Sequence, residues 1–130
     1  MKLVTILMAT LISTAAFADS ADLYACLQQN DSVIGMEDCQ FNEFKLQNEN
    51  LKAETQKLMH QLALKPELKK KYDEFKISSR SFDFIRDTAC TLEVLDMEGG
   101  TGQGNEKAKC LTRLTQERIL EVQNQLQVRR

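Results

Sequence analysis

Apolar residues recur with a helical period through the middle of the chain. Between positions 36 and 98 there is no glycine and one proline, Pro66, and the stretch is rich in Glu, Lys, Gln, Leu and Ala. Such a composition favours long helices. Apolar residues at steps of seven, seven and four form one stripe: Phe44, Leu51, Leu58 and Leu62. We expect this amphipathic helix to end before Pro66, because proline disfavours a helical residue ahead of it but fits the first turn of the next helix.

Two further helices are predicted after Pro66. The first, extending to about Asp96, carries a stripe at three- and four-residue steps and their sums: Leu68, Tyr72, Phe75, Phe82, Ala89 and Leu92. Four of the five glycines then lie between 99 and 104, which predicts a loop, and Asn105 is expected to cap the last helix. That helix is expected to bury Ala108, Leu111, Ile119, Val122 and Leu126.

A shorter helix over 21–29 is predicted to bury Leu23 and to precede a turn at 30–32. No segment alternates with the two-residue period of a strand. The sequence therefore predicts an all-α fold, a small antiparallel bundle of three long helices plus a short N-terminal helix.

The N-terminus has the three regions of a secretory signal peptide. Lys2 supplies the positive charge, residues 3–15 are largely apolar, and 16–18 read Ala-Phe-Ala, a small-x-small cleavage site. The alternative is a buried N-terminal helix. The apolar run is shorter than the about 20 residues that a bilayer span needs. We expect a signal peptide at 1–18, a single helical domain at 19–130, no membrane insertion after cleavage, and no lipid attachment, since no cysteine follows Ala18 directly. The predicted location is periplasmic or secreted.

The charge balance argues against a nucleic-acid partner. Loss of Lys2 with the signal peptide leaves 16 basic against 19 acidic residues, a formal net charge of −3. Nucleic-acid-binding domains usually carry a basic patch. A mildly acidic surface is better suited to a basic protein partner.

The four cysteines predict two disulfides. Cys26, Cys39, Cys90 and Cys110 are an even set in the part of the chain that follows the signal peptide. A metal site is the alternative, but the spacings of 13, 51 and 20 differ from close C-x-x-C pairs, and the chain has one histidine. Four cysteines allow three pairings, and the sequence alone does not choose among them. We favour Cys26 with Cys39 and Cys90 with Cys110, which closes short loops near helix ends.

No catalytic constellation is evident. His60 is the one imidazole, and oxidised cysteines supply no thiolate. The acidic residues are scattered among lysines as on solvated helix faces: Glu43, Glu49, Glu54, Asp73, Glu74, Asp83 and Asp87. Gly99 and Gly104 have the gap of a phosphate-binding P-loop, but the Lys and Ser or Thr of that motif are missing. We predict a binding protein with no catalytic residue, metal or cofactor, and a hydrolase is the least favoured alternative.

The glycine-rich loop is the candidate binding element. Its residues are Glu98, Gly99, Gly100, Thr101, Gly102 and Gln103. It is either a flexible tether between helices or a recognition loop held by a disulfide from Cys90 to Cys110. The run 69–71 of three lysines is likewise either a solvated helix face or a patch for anions.

Several motifs resemble the LprI-like family of small secreted helical domains, which is named after a lysozyme inhibitor. The sequence Arg-Asp-Thr-Ala-Cys at 86–90 is similar to the R-D-x-x-C motif, residues 98–101 to the G-G-[ST] turn, and Cys110 with Thr115 and Arg118 to C-x4-T-x2-R. Cys26, Cys39 and Leu51 are similar to the family's earlier cysteine pair and a leucine of its first long helix. The family usually has tryptophan where this chain has Phe82.

The resemblance implies a protein partner, with lysozyme as the first candidate. Phe82, Arg86, Asp87, Thr115 and Arg118 form its structural motif in this chain. Arg86 lies on the apolar stripe, so we interpret it as a structural guanidinium that needs an acidic partner, Asp83 or Asp87 or an acid of another helix. The alternative function is an envelope structural, stress or toxin-neutralising protein with a different partner.

Overall fold

A computed structural model describes residues 20–97, 100 and 102–129. Four α-helices account for most of them: α1 (Ala21–Gln29), α2 (Val33–Ala63), α3 (Lys69–Glu93) and α4 (Gln103–Val128). Short 3-10 turns at Pro66–Leu68 and Leu95–Met97 flank α3, and no strand occurs in these ranges. The all-α prediction, with three long helices and one short one, is confirmed. Residues 1–18, predicted as a signal peptide, lie outside the described part.

Local sequence sets most of the helix ends. The hydroxyls of Ser20 and Ser32 accept hydrogen bonds of 3.0 Å from the backbone N–H of Leu23 and Gly35, and so cap α1 and α2. The helix α2 ends at Ala63, ahead of Pro66, as expected. Proline then opens a 3-10 turn that leads directly into α3.

The core lies mainly between α2 and α4, which pack against each other along much of their length, and α3 covers both. Leucines of α2 face aliphatic residues of α4, and aromatic residues of α3 cover them. The buried members of this cluster are Leu51, Leu58, Leu62, Ile119, Val122 and Leu126. The partly buried residues packed against it are Leu68, Tyr72, Phe75 and Phe82. A second cluster surrounds the Cys90–Cys110 pair and contains Leu111, Phe41, Phe44 and Leu114. The short α1 packs on α2.

The C-terminal end of α3 differs from the prediction. The helix stops at Glu93 instead of about Asp96, and Ala89 and Leu92 are exposed although the periodicity placed them in the core. The residues that face inward here are Arg86 and Cys90. Arg86 lies on this face as expected, whereas Ala89 and Leu92 lie outside it.

The start of α4 also differs. The predicted loop at 99–104 is shorter, since α4 begins at Gln103, and its N-cap is Gly102 with φ of 115° instead of Asn105. Glycine adopts this left-handed conformation without a steric cost. Gly104 is helical, and a Cβ at this position would clash with the Glu37 carboxylate of α2. This glycine therefore permits close packing at the helix N-terminus, where the carboxylate also suits the helix dipole.

Glu43 is a further correction. We predicted it on a solvated helix face, but its side chain is buried and accepts hydrogen bonds from Ser20 Oγ and, at 2.8 Å, from Gln47 Nε2. Ser20 thereby ties the start of α1 to α2. The two hydrogen-bond donors give the buried carboxylate a structural explanation.

The lysine run at 69–71 lies at the start of α3. Lys69 and Lys70 pair with Asp73 and Glu74 one turn later, at 2.7 and 3.8 Å. The hydrogen bond that Lys69 donates to Asp73 raises the pKa of Lys69. These pairs support the solvated-face interpretation over an anion-binding patch. Among the described helices, none is long and apolar enough to cross a membrane.

Candidate functional site

Arg86 is the centre of a buried polar cluster between the helices. Its side chain is 4% exposed and lies between two aromatic rings, with Cζ 4.8 Å from the centroid of Phe44 and 5.4 Å from that of Phe82. Guanidinium groups are attracted to ring faces at such distances. Phe44 comes from α2 and Phe82 from α3, so the stack joins the two helices.

The hydrogen bonds of Arg86 reach all three long helices. Nη1 donates to Asn48 Oδ1 of α2 at 3.0 Å and to Thr115 Oγ1 of α4 at 3.3 Å, and it lies 3.3 Å from Asp83. Nε donates to Asp87 at 2.9 Å. Both acids are on α3 itself, and the partners from other helices are neutral. The structural interpretation of Arg86 agrees with this geometry.

The other predicted motif residues adjoin this cluster. Thr115 is fully buried and donates to the Leu111 carbonyl at 2.7 Å, which leaves its oxygen to accept from Arg86. Arg118 stacks on Phe82 and Phe75, with Cζ 5.6 and 5.7 Å from the ring centroids, and donates to Ser78 at 2.7 Å. Phe82 thus contacts two guanidinium groups. Thr115 and Arg118 of α4 thereby contact the Arg86 cluster of α3.

Two buried threonines of α4 provide a matched test of this cluster. Thr115→Val removes the acceptor for Arg86, and we expect the free energy of unfolding to fall by about 1–2 kcal/mol. Thr112 is also buried, but its hydroxyl has no hydrogen-bond partner among the described residues. We therefore expect Thr112→Val to be neutral or stabilising by up to about 1 kcal/mol. Urea unfolding followed by circular dichroism measures both; equal losses would contradict the assigned bond.

The candidate binding loop lies at the end of the bundle where α3 passes into α4. Cys90 and Cys110 are disulfide-bonded, with Cα atoms 5.6 Å apart, and fasten the two helices behind it. Gln103 Nε2 donates to the Val94 carbonyl at 3.2 Å, and Gly100 N–H donates to the Met97 carbonyl at 2.9 Å. Gly100, Gly102 and Gln103 of the candidate loop are described; Glu98, Gly99 and Thr101 lie outside the described residues. The bridge and these bonds shorten the free span of the loop.

Acidic side chains surround the base of this loop. Glu93 pairs with Arg113 at 2.8 Å, and Glu106 pairs with Lys109 at the same distance. Asp96 is exposed in the 3-10 turn that enters the loop. The Glu37 carboxylate lies against Gly104. The loop end of the bundle therefore carries four carboxylates, two of them paired with a base.

The other end of the disulfide framework holds α1. Cys26 and Cys39 are bonded, with Cα atoms 5.7 Å apart, and Asn30 Nδ2 donates to the Cys26 carbonyl at 2.9 Å. Together with the contact of Ser20 and Glu43, the bridge fixes a nine-residue helix that is too short to be stable alone. Both cysteine pairs match the favoured pairing.

A shallow groove of about 230 Å³ runs between α2 and α3 beside the Arg86 cluster. Phe82 and Arg118 line it together with polar side chains from both helices: Asn48, Lys52, Thr55, Gln56, Ser79 and Asp83. Both guanidinium groups already stack on Phe82, so no free aromatic face is available to a ligand.

The described residues offer little for catalysis. His60 is exposed near the end of α2, and no cysteine is free. Within residues 20–97, 100 and 102–129, no group of three or more His, Cys, Asp or Glu side chains is placed to hold a metal ion.

Sequence reasoning missed two members of the polar cluster. Asn48 was not recognised because a lone polar residue on a helix rich in Asn and Gln resembles its solvated neighbours. Phe44 was expected in the apolar core, but its ring also stacks on Arg86. A buried arginine on an apolar stripe was the one signal that pointed to such partners.

Comparison with known families agrees with these motifs. The sequence model of the family described as "Lysozyme inhibitor LprI" matches residues 25–122, about three quarters of the chain. The matched range contains all four cysteines and every residue of the Arg86 cluster. Neither a curated protein nor a solved structure matches the chain significantly. On the strength of the family match, this chain belongs to the LprI family.

Proposed function

We propose that this chain is an exported protein that binds a lysozyme and inhibits it by occupying the substrate cleft. The observation that carries the proposal is the LprI family match over residues 25–122. Two disulfides suit a protein of an oxidising compartment. The signal-peptide pattern at 1–18 supplies the route of export, with cleavage after Ala18.

The loop end of the bundle is the proposed contact surface. Its base is held by the Cys90–Cys110 bridge and by the bond from Gln103 to Val94, so little further ordering is needed on binding. Glycines allow the backbone to approach a partner closely. Glycoside hydrolases have a pair of carboxyl groups in the cleft, and backbone N–H groups are donors for them.

Charge supports the same choice of partner. Animal-type lysozymes are strongly basic, and the proposed mature chain has a net charge of −3. The carboxylates of Asp96 and Glu37 lie at the loop end, where they meet a basic cleft rim first. Complementary charge of this kind mainly raises the association rate, and the effect falls with salt.

Inhibition of cell-wall lysis by an animal-type lysozyme tests the proposal. We expect the purified protein to inhibit, Glu98→Ala to raise the inhibition constant about tenfold by loss of an acidic contact, and a variant with the loop shortened between Met97 and Gly102 to raise it further. Glu49→Ala is the matched control, because Glu49 is an exposed acid on α2 that pairs with Lys52 at 2.7 Å.

The outcomes distinguish the proposed inhibition of lysozyme from the choice of the loop as the contact surface. Undiminished lysis at micromolar excess of the protein would overturn the proposed inhibition. Inhibition that Glu98→Ala and Glu49→Ala change equally would retain the function but rule out the loop as the contact.

A further inference from the structure

The helix α3 has an apolar stripe on its outer face as well as on its inner one. Ile77, Phe84, Ile85 and Leu92 are 61–76% exposed. At 3.6 residues per turn they lie on the side away from the buried Arg86 and Cys90 and the partly buried Phe75 and Phe82. Scattered exposed apolar residues are ordinary on a protein surface, but a contiguous stripe along one helix marks an interaction site.

The order of residues along this stripe is a palindrome. Ile77 lies seven residues before Phe84, and Leu92 lies seven residues after Ile85. In the same way Ser81 lies three residues before Phe84, and Thr88 three residues after Ile85. A two-fold axis midway between Phe84 and Ile85 therefore places each of these residues at the same height along the helix as a residue of similar size in an antiparallel second copy.

We propose that this outer face of α3, Ile77 to Leu92, docks on the same face of a second copy of the chain in an antiparallel pair. Beside the two-fold axis Phe84 packs on Phe84 and Ile85 on Ile85 of the other copy, since neighbouring residues lie about 100° apart around a helix, and Ile77 lies level with Leu92 at both ends. Leu92 at one end of this face lies close in sequence to the loop between α3 and α4, but the contact does not depend on lysozyme binding.

Charges beside the stripe fit this arrangement. Arg80 and Asp87 lie on the same flank of the stripe, seven residues apart, and both are exposed. In the antiparallel pair, Arg80 of one copy comes within about two residues, or about 3 Å along the helix axis, of Asp87 in the other. Asp87 gives Oδ1 to Arg86 and has Oδ2 left for this contact.

The area is sufficient for a modest dimer. At about 200 Å² for a whole residue, the four exposed fractions amount to roughly 500 Å² per chain, or roughly 1,000 Å² for two. Arg80, Ser81, Asp87 and Thr88 add to this and bring the total near the lower limit of about 1,200 Å² for stable interfaces.

At the N-terminal end of α3, Asp73 and Glu74 are neutralised by Lys69 and Lys70.

Sedimentation equilibrium over a range of protein concentrations tests the contact. We expect the mass to rise from one chain to two within the micromolar range, and Phe84→Glu to weaken the association at least about 100-fold, since a central aromatic anchor is lost twice. Ile34→Glu is the control, because Ile34 is 75% exposed, like Phe84 at 76%, but lies at the start of α2. A monomer at every concentration, or equal effects of the two substitutions, would overturn the proposal.

A charge exchange tests the antiparallel register. Arg80→Glu and Asp87→Lys should each be monomeric alone, because both symmetry-related contacts then join like charges, and an equimolar mixture should restore the dimer. Circular dichroism melts establish that the Asp87 variant is folded, as Asp83 still contacts Arg86 at 3.3 Å. If Arg80→Glu instead pairs with the unchanged protein as well as with Asp87→Lys, the antiparallel register is wrong.

Discussion

We expect Arg86→Ala to lower the free energy of unfolding by about 3 kcal/mol. The substitution removes the guanidinium between Phe44 and Phe82 and leaves a cavity there. It also leaves the side chains of Asn48 and Thr115 without their donor. The two acids are exposed and remain solvated, so their loss of a partner adds little. Urea unfolding followed by circular dichroism in dilute protein measures the change.

Two variants separate the charge from the geometry. Arg80→Ala on the same helix is the control, since this arginine is exposed, and we expect a change within about 0.5 kcal/mol. Arg86→Lys keeps the charge but loses the planar fork and the ring stacking, so we expect it to recover less than half of the loss. A loss below about 1 kcal/mol for Arg86→Ala would show that the cluster is dispensable.

Replacing Cys90 and Cys110 together by alanine should destabilise the protein by about 3 kcal/mol, as expected for a bridge that closes a loop of this length. The bridge also fastens α3 to α4 directly behind the glycine-rich loop. We therefore expect weaker lysozyme inhibition even at temperatures where the variant is fully folded. Thermal melts and the lysis assay, run on the same sample, measure the two effects separately.

The second bridge is the internal control. Replacing Cys26 and Cys39 by alanine opens a loop of 13 residues and should cost a similar about 3 kcal/mol, because it frees α1. It leaves the Cys90–Cys110 bridge in place, but Cys39 lies two residues from Glu37 at the loop end, so inhibition by the folded protein should fall less than in the first variant. Equal loss of inhibition in both variants would mean that the Cys90–Cys110 bridge contributes stability alone and does not shape the contact.

Much of the fold was predictable because the sequence is locally consistent. The segments from Phe44 to Leu62 and from Ala108 to Leu126 each have one apolar face. Pro66 separates two helices by a local effect that does not depend on the tertiary packing. The limits of α1 follow from two serine caps and a polar turn. In these segments the local preferences and the tertiary packing agree.

The predictions that were wrong concern residues whose position depends on another helix. Glu43 has the sequence context of a solvated acid, and its burial depends on Ser20, 23 residues away. Leu92 continues the apolar period of α3 but lies outside, because Arg86 and Cys90 occupy the inner face. Gly104 was predicted in the loop, but it lies in α4 against the Glu37 carboxylate. Periodicity does not encode such contacts.

For the candidate site, the sequence identified the motif residues but not what they do. Arg86, Phe82, Thr115 and Arg118 come together, and they form a structural cluster that no spacing argument distinguishes from a binding site. The loop was identified by its glycines, and its acidic surroundings became visible only when α2 and α4 were placed beside it. The outer apolar stripe of α3 was not recognised, because the periodicity assigned one apolar face to each helix. Phe84 and Ile85 lie outside the face that was assigned to α3.

The kinetic mode of inhibition tests the proposed function most directly. With a soluble cell-wall oligosaccharide as the substrate of an animal-type lysozyme, a protein that occupies the substrate cleft raises the apparent KM in proportion to its concentration and leaves kcat unchanged. We predict this competitive pattern for the intact, oxidised protein. An unchanged KM at micromolar excess, whether kcat falls or stays the same, would contradict the account.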